Sequence, residues 1–256
     1  MLRGTFDKLL PVAFFVGLIV LWQIATHVLT VPSFLLPSPV EIAKKIYELF
    51  DRLLMHTWVT LSEVLIGFAL ASIGGIFLAV ITAHSRFLAR TIFPIMVISQ
   101  VIPTIAIAPL LVIWFGPGDV ARLTVVFLIA FFPVVVNTTA GLLRVDEELV
   151  DLVAGLKGTR WKIFTKIRMP NALPSIFTGM RISIALSVIG AVVAEFVAAN
   201  AGLGYLIFSA ATNLDTVLVF AAVTLLAVMG IILFQLVLLS QRLAIPWALE
   251  AKEGDA

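Results

Sequence analysis

Six stretches of this chain stay apolar for about 20 residues each, the length that crosses a hydrocarbon core. They cover residues 11–30, 58–83, 91–115, 121–142, 176–199 and 217–240. Polar residues collect between them, and the longest charged interval is 144–174. Its spacing predicts two short helices. Leu149, Leu152, Val153 and Leu156 recur at i, i+3, i+4 and i+7, one apolar stripe. Asp146, Glu147 and Glu148 stand where the first helix would start, and Lys157 and Gly158 where it would stop. Helix dipoles favour that charge order, and Gly158 is free to take the left-handed cap. Thr159 is placed to cap a second helix with Trp161, Phe164 and Ile167 on one side and Lys162 and Lys166 elsewhere. Pro170 is expected to end it.

A second amphipathic element follows the first span. Ser38 and Glu41 have capping-box spacing with Pro39 at the first helical position. Ala43, Ile46, Tyr47, Phe50, Leu53 and Leu54 are then expected on one face, with Glu41, Lys44, Lys45, Glu48, Asp51 and Arg52 on the other. Such a helix lies along a membrane surface, as a packing brace or as a dock for an external partner.

Composition turns the six apolar runs into membrane spans. Of 256 residues, 61% are hydrophobic and only 12% charged, and the mean hydropathy of +1.15 is far above that of a soluble domain. With the N-terminus inside, only Lys44, Lys45, Arg52 and Arg122 of the 17 Lys and Arg residues face outward. The positive-inside rule therefore places both termini and residues 144–174 in the cytoplasm. The absence of cysteine excludes disulfides and thiolate metal sites.

Within the spans, small and polar residues recur in two patterns. Gly67, Ala71 and Gly75 form a small-xxx-small stripe, suited to packing within the chain or to subunit contact. Gly179, Ser183, Ser187, Ala191 and Glu195 repeat every four residues, a groove ending in a carboxylate. Glu195 is expected near the outer end of its span, shallow enough for partial hydration, as a structural partner or as a gate. Pro94, Pro103 and Pro109 interrupt the third span around Gln100, marking either a pathway wall or structural kinks. Asn137 lies toward the inner end of the fourth. Gln100, Pro103, Asn137, Ser183, Ser187 and Glu195 are the pathway and gate candidates. Residues 201–206 read as a glycine-punctuated outer loop.

The chemistry this pattern lacks narrows the function. There is no GxxxxGK[ST], HExxH or GxSxG, and the three histidines are isolated from one another. Catalytic, cofactor and metal sites are therefore expected to be absent. An ion-coupled secondary transporter, the alternative reading, places ionisable groups or paired unwound helices near the midplane. Here Glu63 and Glu195 lie near one face and Arg181 near the other. The drive for transport is expected from another subunit.

Residues 144–174 resemble the cytoplasmic EAA loop of bacterial ABC-importer permeases, a Glu-Ala-Ala triplet with a glycine four residues past it and a later Ile-x-Leu-Pro. The triplet falls at Asp151-Leu152-Val153, followed by Ala154, with Leu156 before the next motif position. The family glycine falls at Lys157, with Gly158 one place on. Arg160-Trp161-Lys162-Ile163-Phe164 and Ala172-Leu173-Pro174 match the later part. Leu36-Pro37-Ser38-Pro39, Trp114-Phe115-Gly116, Phe132-Pro133 with Asn137, Ala194-Glu195 and Gly202-Leu203-Gly204-Tyr205-Leu206 look like the nitrate/sulfonate/taurine group, with its thiamine-pyrimidine-precursor and riboflavin relatives.

The resemblance implies an all-α integral membrane protein with six transmembrane helices, the type I (MetI-like) ABC importer permease fold and both termini cytoplasmic. Residues 1–57 would hold the first span and the outer amphipathic helix, 58–242 the permease core, and 243–256 a cytoplasmic tail. It implies a multi-pass protein of the bacterial inner membrane that pairs with a second copy. Two cytoplasmic ATPases, which carry the ATP and Mg, would dock on residues 151–161, and a periplasmic or lipid-anchored binding protein would deliver a small solute. Lipid is the surrounding partner, and no nucleic acid is involved. Basic groups are scarce in the spans, which favours a neutral or zwitterionic heterocycle over nitrate.

Overall fold

The structure, a computed structural model, describes residues 2–85, 88, 91, 94, 98 and 102–247. Every regular element among them is helical: α1 (Leu2–Val28), α2 (Pro39–Glu48), α3 (Phe50–His84), α4 (Thr104–Phe115), α5 (Asp119–Leu143), α6 (Glu147–Gly155), α7 (Arg160–Ile163), a π-helical turn (Phe164–Arg168), α8 (Met169–Ala198), α9 (Leu203–Thr212) and α10 (Thr216–Ala244). Four helical stretches are long and apolar enough to cross a membrane, namely α3, α5, the continuous run Arg160–Ala198 and α10. They carry the expected spans 58–83, 121–142, 176–199 and 217–240. The first expected span falls on α1. The third is represented by α4, while Gln100 and most of 86–101 lie outside the described residues.

Helices α3, α5 and α8 pack on one another, with α5 and α8 the most intimate pair. Lipid tails are as apolar as leucine, so close approach of backbones rather than expulsion from water holds membrane helices together. A Cβ at Gly179 would stand 2.9 Å from the Pro133 carbonyl oxygen, and one at Gly75 would stand 2.9 Å from Val134 Cβ. Gly67 faces Val126 in the same way. The Gly67/Ala71/Gly75 stripe is therefore spent inside the chain, against α5. Ser183 continues the α8 groove, donating its hydroxyl to the Ala130 carbonyl at 2.8 Å. Helix α4 lies on α5 and α8 through Ala108 and Leu111, which meet Val125 and Ala194. Helices α9 and α10 complete the bundle through Leu203, Leu206, Leu218, Ala222 and Leu226.

Three expectations need correction. First, Pro170 does not end a helix. Proline lacks an N–H and its ring collides with the carbonyl four residues back. Just ahead of Pro170 the chain forms the π turn, in which the Met169 N–H reaches the Phe164 carbonyl five residues back. The wider turn loosens the backbone there, and the helix runs on past Pro170 and Pro174 to Ala198. Second, α2 stops at Glu48, so Phe50, Leu53 and Leu54 belong to α3. Ile42 is the buried residue of α2, with Ile46 and Leu49 packed against the core, while Ala43, Tyr47, Phe50 and Leu54 are exposed. Lys45 turns inward to pair with Asp215 at 3.0 Å, so the charged face of the expected helix provides a tertiary contact. Third, the expected outer loop at 201–206 is already helical from Leu203, where α9 begins and runs to Thr212.

The capping box at α2 is present as expected, with the Glu41 carboxylate accepting from the Ser38 amide at 2.8 Å and from the Ser33 hydroxyl at 2.8 Å. The Ser38 amide, and then the two serine hydroxyls, hold the Glu41 carboxyl below the usual carboxylate range. Because that pKa is depressed in the folded chain, the cap is intact above the ordinary carboxylate pKa and is lost as pH falls through the lowered one.

Gly179→Val should force α5 from α8 and destabilise the bundle by about 1–3 kcal/mol. Gly17→Val, with nothing within 4 Å of the added Cβ, should be neutral. Thermal unfolding of the detergent-solubilised protein, followed by tryptophan fluorescence, compares the two.

Candidate functional site

Helices α5 and α8 fix the first site, because the segment between them emerges at one end of the bundle. That is also the His84 end of α3, whose imidazole packs on Phe164 with ring centroids 4.9 Å apart. Asp146 opens α6 by accepting from the Glu148 amide at 3.0 Å. At the other end, the Gly158 amide bonds to the Val153 carbonyl at 2.9 Å, six residues closing back to one. In that closure the left-handed residue is Lys157, at φ 59°, and not Gly158. Gly158 is needed for space: a Cβ there would sit 2.5 Å from the Val153 carbonyl oxygen. The left-handed position thus coincides with the place where the resembled family carries its glycine. Thr159 caps α7 as expected, accepting from the Lys162 amide at 3.3 Å.

The result is an exposed apolar ridge on a charged segment. Leu149 and Leu152 lie on one side of α6 and Leu156 in the turn that follows it, with Leu156 76% exposed. Trp161, 70% exposed, stands on α7 and packs against Phe164 at 5.9 Å between centroids. Asp151, Lys157, Arg160 and Lys162 are exposed around them, while Val153 and Gly158 are half-buried in the turn. Ala154 lies in α6 between these positions. Behind the ridge, a cavity of about 350 Å³ separates Val150 and Asp151 from Leu142, Ala83 and Arg168. The segment stands off the bundle and offers large apolar side chains outward, as protein-docking surfaces do.

The opposite end holds the carboxylate. Glu195 is 1% exposed, and the expected partial hydration is replaced by protein partners. Its Oε1 accepts from the Thr60 hydroxyl at 2.7 Å and its Oε2 from the Gly204 amide at 2.5 Å. Thr60 in turn accepts from the Leu203 amide at 2.8 Å, and His56 Nδ1 accepts from the Gly202 amide at 2.9 Å. These amides are the first donors of α9, which have no partner within their own helix. Three side chains from α3 and α8 satisfy them, and the carboxylate also sits at the positive end of the α9 dipole. His56 and Thr60 were not singled out from the sequence; only His56 followed by Thr60 at i+4 on α3 hints at a shared face. The imidazole accepts here, so its proton is on Nε2, and it stacks on Tyr205 at 6.1 Å.

The remaining candidates are dispersed. Ser183 and Ser187 are fully buried, with Ser187 donating to the Ser183 carbonyl at 2.8 Å. Asn137 is half-buried and donates to the Pro133 carbonyl at 2.8 Å. Pro103 is exposed at the start of α4, in extended backbone. Gln100 lies outside the described residues.

Two outcomes follow from this geometry. Lys157→Gly should relieve a left-handed side chain worth about 1 kcal/mol and raise hydrogen-exchange protection across 147–158. Glu195→Ala should leave the Gly204 amide and the Thr60 hydroxyl without their acceptor. It should cost about 1–3 kcal/mol in thermal unfolding, whereas Glu195→Gln, which keeps an acceptor oxygen, should lose less.

Residues 71–248 match the family described as binding-protein-dependent transport system inner membrane component. The chain is 35% identical to the formylaminopyrimidine transport permease protein ThiX of Halalkalibacterium halodurans over 96% of its own length and 98% of that protein. It is 38% identical to the riboflavin transport system permease protein RibX of Chloroflexus aurantiacus over 90% of its length and 87% of that protein. Among solved structures, an inward-facing MetNI methionine ABC transporter chain superposes with a TM-score of 0.59 at 21% identity, covering 74% of this chain and 98% of that one. An all-helical bundle with four membrane-length apolar helices and a capped, outward-facing helix pair between α5 and α8 is thus a multi-pass membrane protein of the binding-protein-dependent inner membrane component family, a permease subunit of an ABC importer.

Proposed function

We propose that two copies of this chain form one translocation pathway in the bacterial inner membrane and that two cytoplasmic ATPases, which bind the ATP and Mg, drive them. The carrying observation is the ridge of Leu149, Leu152, Leu156 and Trp161, exposed on a segment too charged to lie in lipid. Residues 151–161 are the ATPase dock. Each copy crosses the membrane six times with both termini cytoplasmic, which requires α1 and the 91–115 region to span. Residues 58–242 are the permease core, 1–57 an added span and outer helix, and 243–256 a tail. A periplasmic or lipid-anchored binding protein supplies the solute from the other side.

The continuous run Arg160–Ala198 supports a lever mechanism. ATP-driven closure of the ATPases displaces α6 and α7, and the π turn passes that displacement into α8 without a break in the helix. Helix α8 moves with α5, because backbones in contact at Gly179 cannot slide independently. Pro103 and Asn137 contact the solute path, while Ser183, Ser187 and Glu195 hold the shape of its wall. The wider group takes up sulfonates, taurine and nitrate as well as thiamine-pyrimidine precursors and riboflavin. For this chain a nitrogen heterocycle is favoured, in line with the relatives named for formylaminopyrimidine and riboflavin.

Leu152→Asp and Leu156→Asp should each abolish co-purification of the ATPase while leaving membrane insertion intact. Reconstituted vesicles carrying chain, ATPase and binding protein should take up solute only with ATP. Uptake by the chain without its ATPase would overturn the proposal.

A further inference from the structure

The segment between α5 and α8 does not lie flush on the bundle. A cavity of about 610 Å³ separates them, walled by Ala83 and His84 of α3, Val150 of α6, and Arg160, Phe164 and Arg168 of α7 and the π turn. It shares Ala83, Val150 and Arg168 with the cavity of about 350 Å³ described above. Spaces of this size hold a small ligand or a headgroup.

The charged groups on the larger cavity are basic. Arg160 is exposed and Arg168 half-buried, and neither has a carboxylate within ion-pair distance among the described residues. Asp151 stands on the wall of the smaller cavity, also without an ion pair to Arg168. Arg168 Nε is enclosed by protein and has no acceptor, so a ligand of this guanidinium must reach its terminal nitrogens. His84 Nδ1 lies 2.9 Å from the Val80 carbonyl and donates to it, which leaves Nε2 to donate to an anion when the ring is protonated. A partly desolvated guanidinium without a counter-ion is unfavourable. Its planar fork of donors, with a second guanidinium on the same wall, suits the paired oxygens of a phosphate group.

The position of the cavity points to the source of that phosphate. Residues 144–174 are too charged to lie in hydrocarbon, while α5 and α8 are apolar up to them, so the cavity sits at the level of the lipid headgroups. Leu142 and Leu143 wall the smaller cavity, and Leu143 is 56% exposed. A lipid phosphate held by Arg160 and Arg168 would have apolar surface at Leu143 for its chains, from which a free phosphate ion gains nothing. Leu149, Leu152, Leu156 and Trp161 do not line the cavity, so the ridge and this site can be occupied together.

We propose that this cavity binds the phosphate of an anionic lipid headgroup through Arg168 and Arg160, tying the segment between α5 and α8 to the end of α3. The site is independent of which solute the chain carries. The test is native mass spectrometry of the full-length, detergent-purified chain titrated with phosphatidylglycerol, with phosphatidylcholine, and with inorganic phosphate. Saturable binding of phosphatidylglycerol is expected, at least tenfold tighter than that of phosphatidylcholine. Arg168→Gln should weaken it at least tenfold and Arg160→Gln should weaken it too. Arg242→Gln removes an exposed cation of α10 that lines neither cavity and should leave binding unchanged. Excess inorganic phosphate should not displace the lipid. Equal binding of the two lipids, binding untouched by Arg168→Gln and Arg160→Gln, or an equal loss in Arg242→Gln would each overturn the site. Displacement by inorganic phosphate would overturn the lipid as its source and leave a free phosphate ion as the occupant. Should Arg168→Gln fail to fold, the exposed Arg160→Gln, set against Arg242→Gln, decides the matter alone.

Discussion

The close approach of α5 to α8 is the constraint on which the other contacts depend. Where a backbone carbonyl lies 2.9 Å from the place a Cβ would occupy, no side chain can separate the helices, and the serine hydroxyls between them have carbonyls to bond. The pair fixes where the segment between them emerges, because α5 delivers the chain to it and α8 carries the chain away. It also fixes the far ends, where Arg122 on α5 and Glu195 on α8 meet partners from α3. Packing by small residues is the general means of association in lipid. In this chain it also sets the distance between the exposed apolar ridge and the buried carboxylates.

Backbone hydrogen bonds impose the second requirement. Helix α9 begins inside the bundle, so its leading amides are cut off from water and need acceptors. The chain meets that need with a carboxylate, a hydroxyl and an imidazole drawn from two other helices. A carboxylate in this place is therefore explained without any encounter with solute, and Glu195 belongs to the architecture first. Glu63, a few residues along α3 from Thr60, is buried too but is held by an ion pair with Arg122 at 2.8 Å and not by backbone amides among the described residues.

Much of this was legible in the sequence where a local rule applies. The Thr159 cap and the Ser38–Glu41 box are each determined within four residues, and the structure has both. Of the expected stripe, Leu149 and Leu152 are exposed on α6, Leu156 is exposed in the turn after it, and Val153 is half-buried. What failed was decided by the third dimension. Pro170 reads as a stop because one-dimensional rules have no π turn to spend on it. Residues 201–206 read as a loop because glycines at 202 and 204 signal a turn. Gly202 does turn the chain, at φ 117°, but both glycines are also required by the Glu195 carboxylate, which lies against them and leaves no room for a Cβ. Gly158 was given the left-handed cap by its identity, whereas φ 59° falls on Lys157. His56 and Thr60 had no signal strong enough to find, since their partners lie more than 130 residues away along the chain.

The arrangement separates two tasks along one shaft. Arg160–Ala198 carries the exposed Trp161 at one end and the capping carboxylate Glu195 at the other. The π turn loosens the shaft just ahead of Pro170 without breaking it, and beyond that point the shaft is in backbone contact with α5. At the other end the Glu195 carboxylate holds the Gly204 amide and His56 holds that of Gly202, so a displacement of the shaft beyond the π turn would reach the first turn of α9.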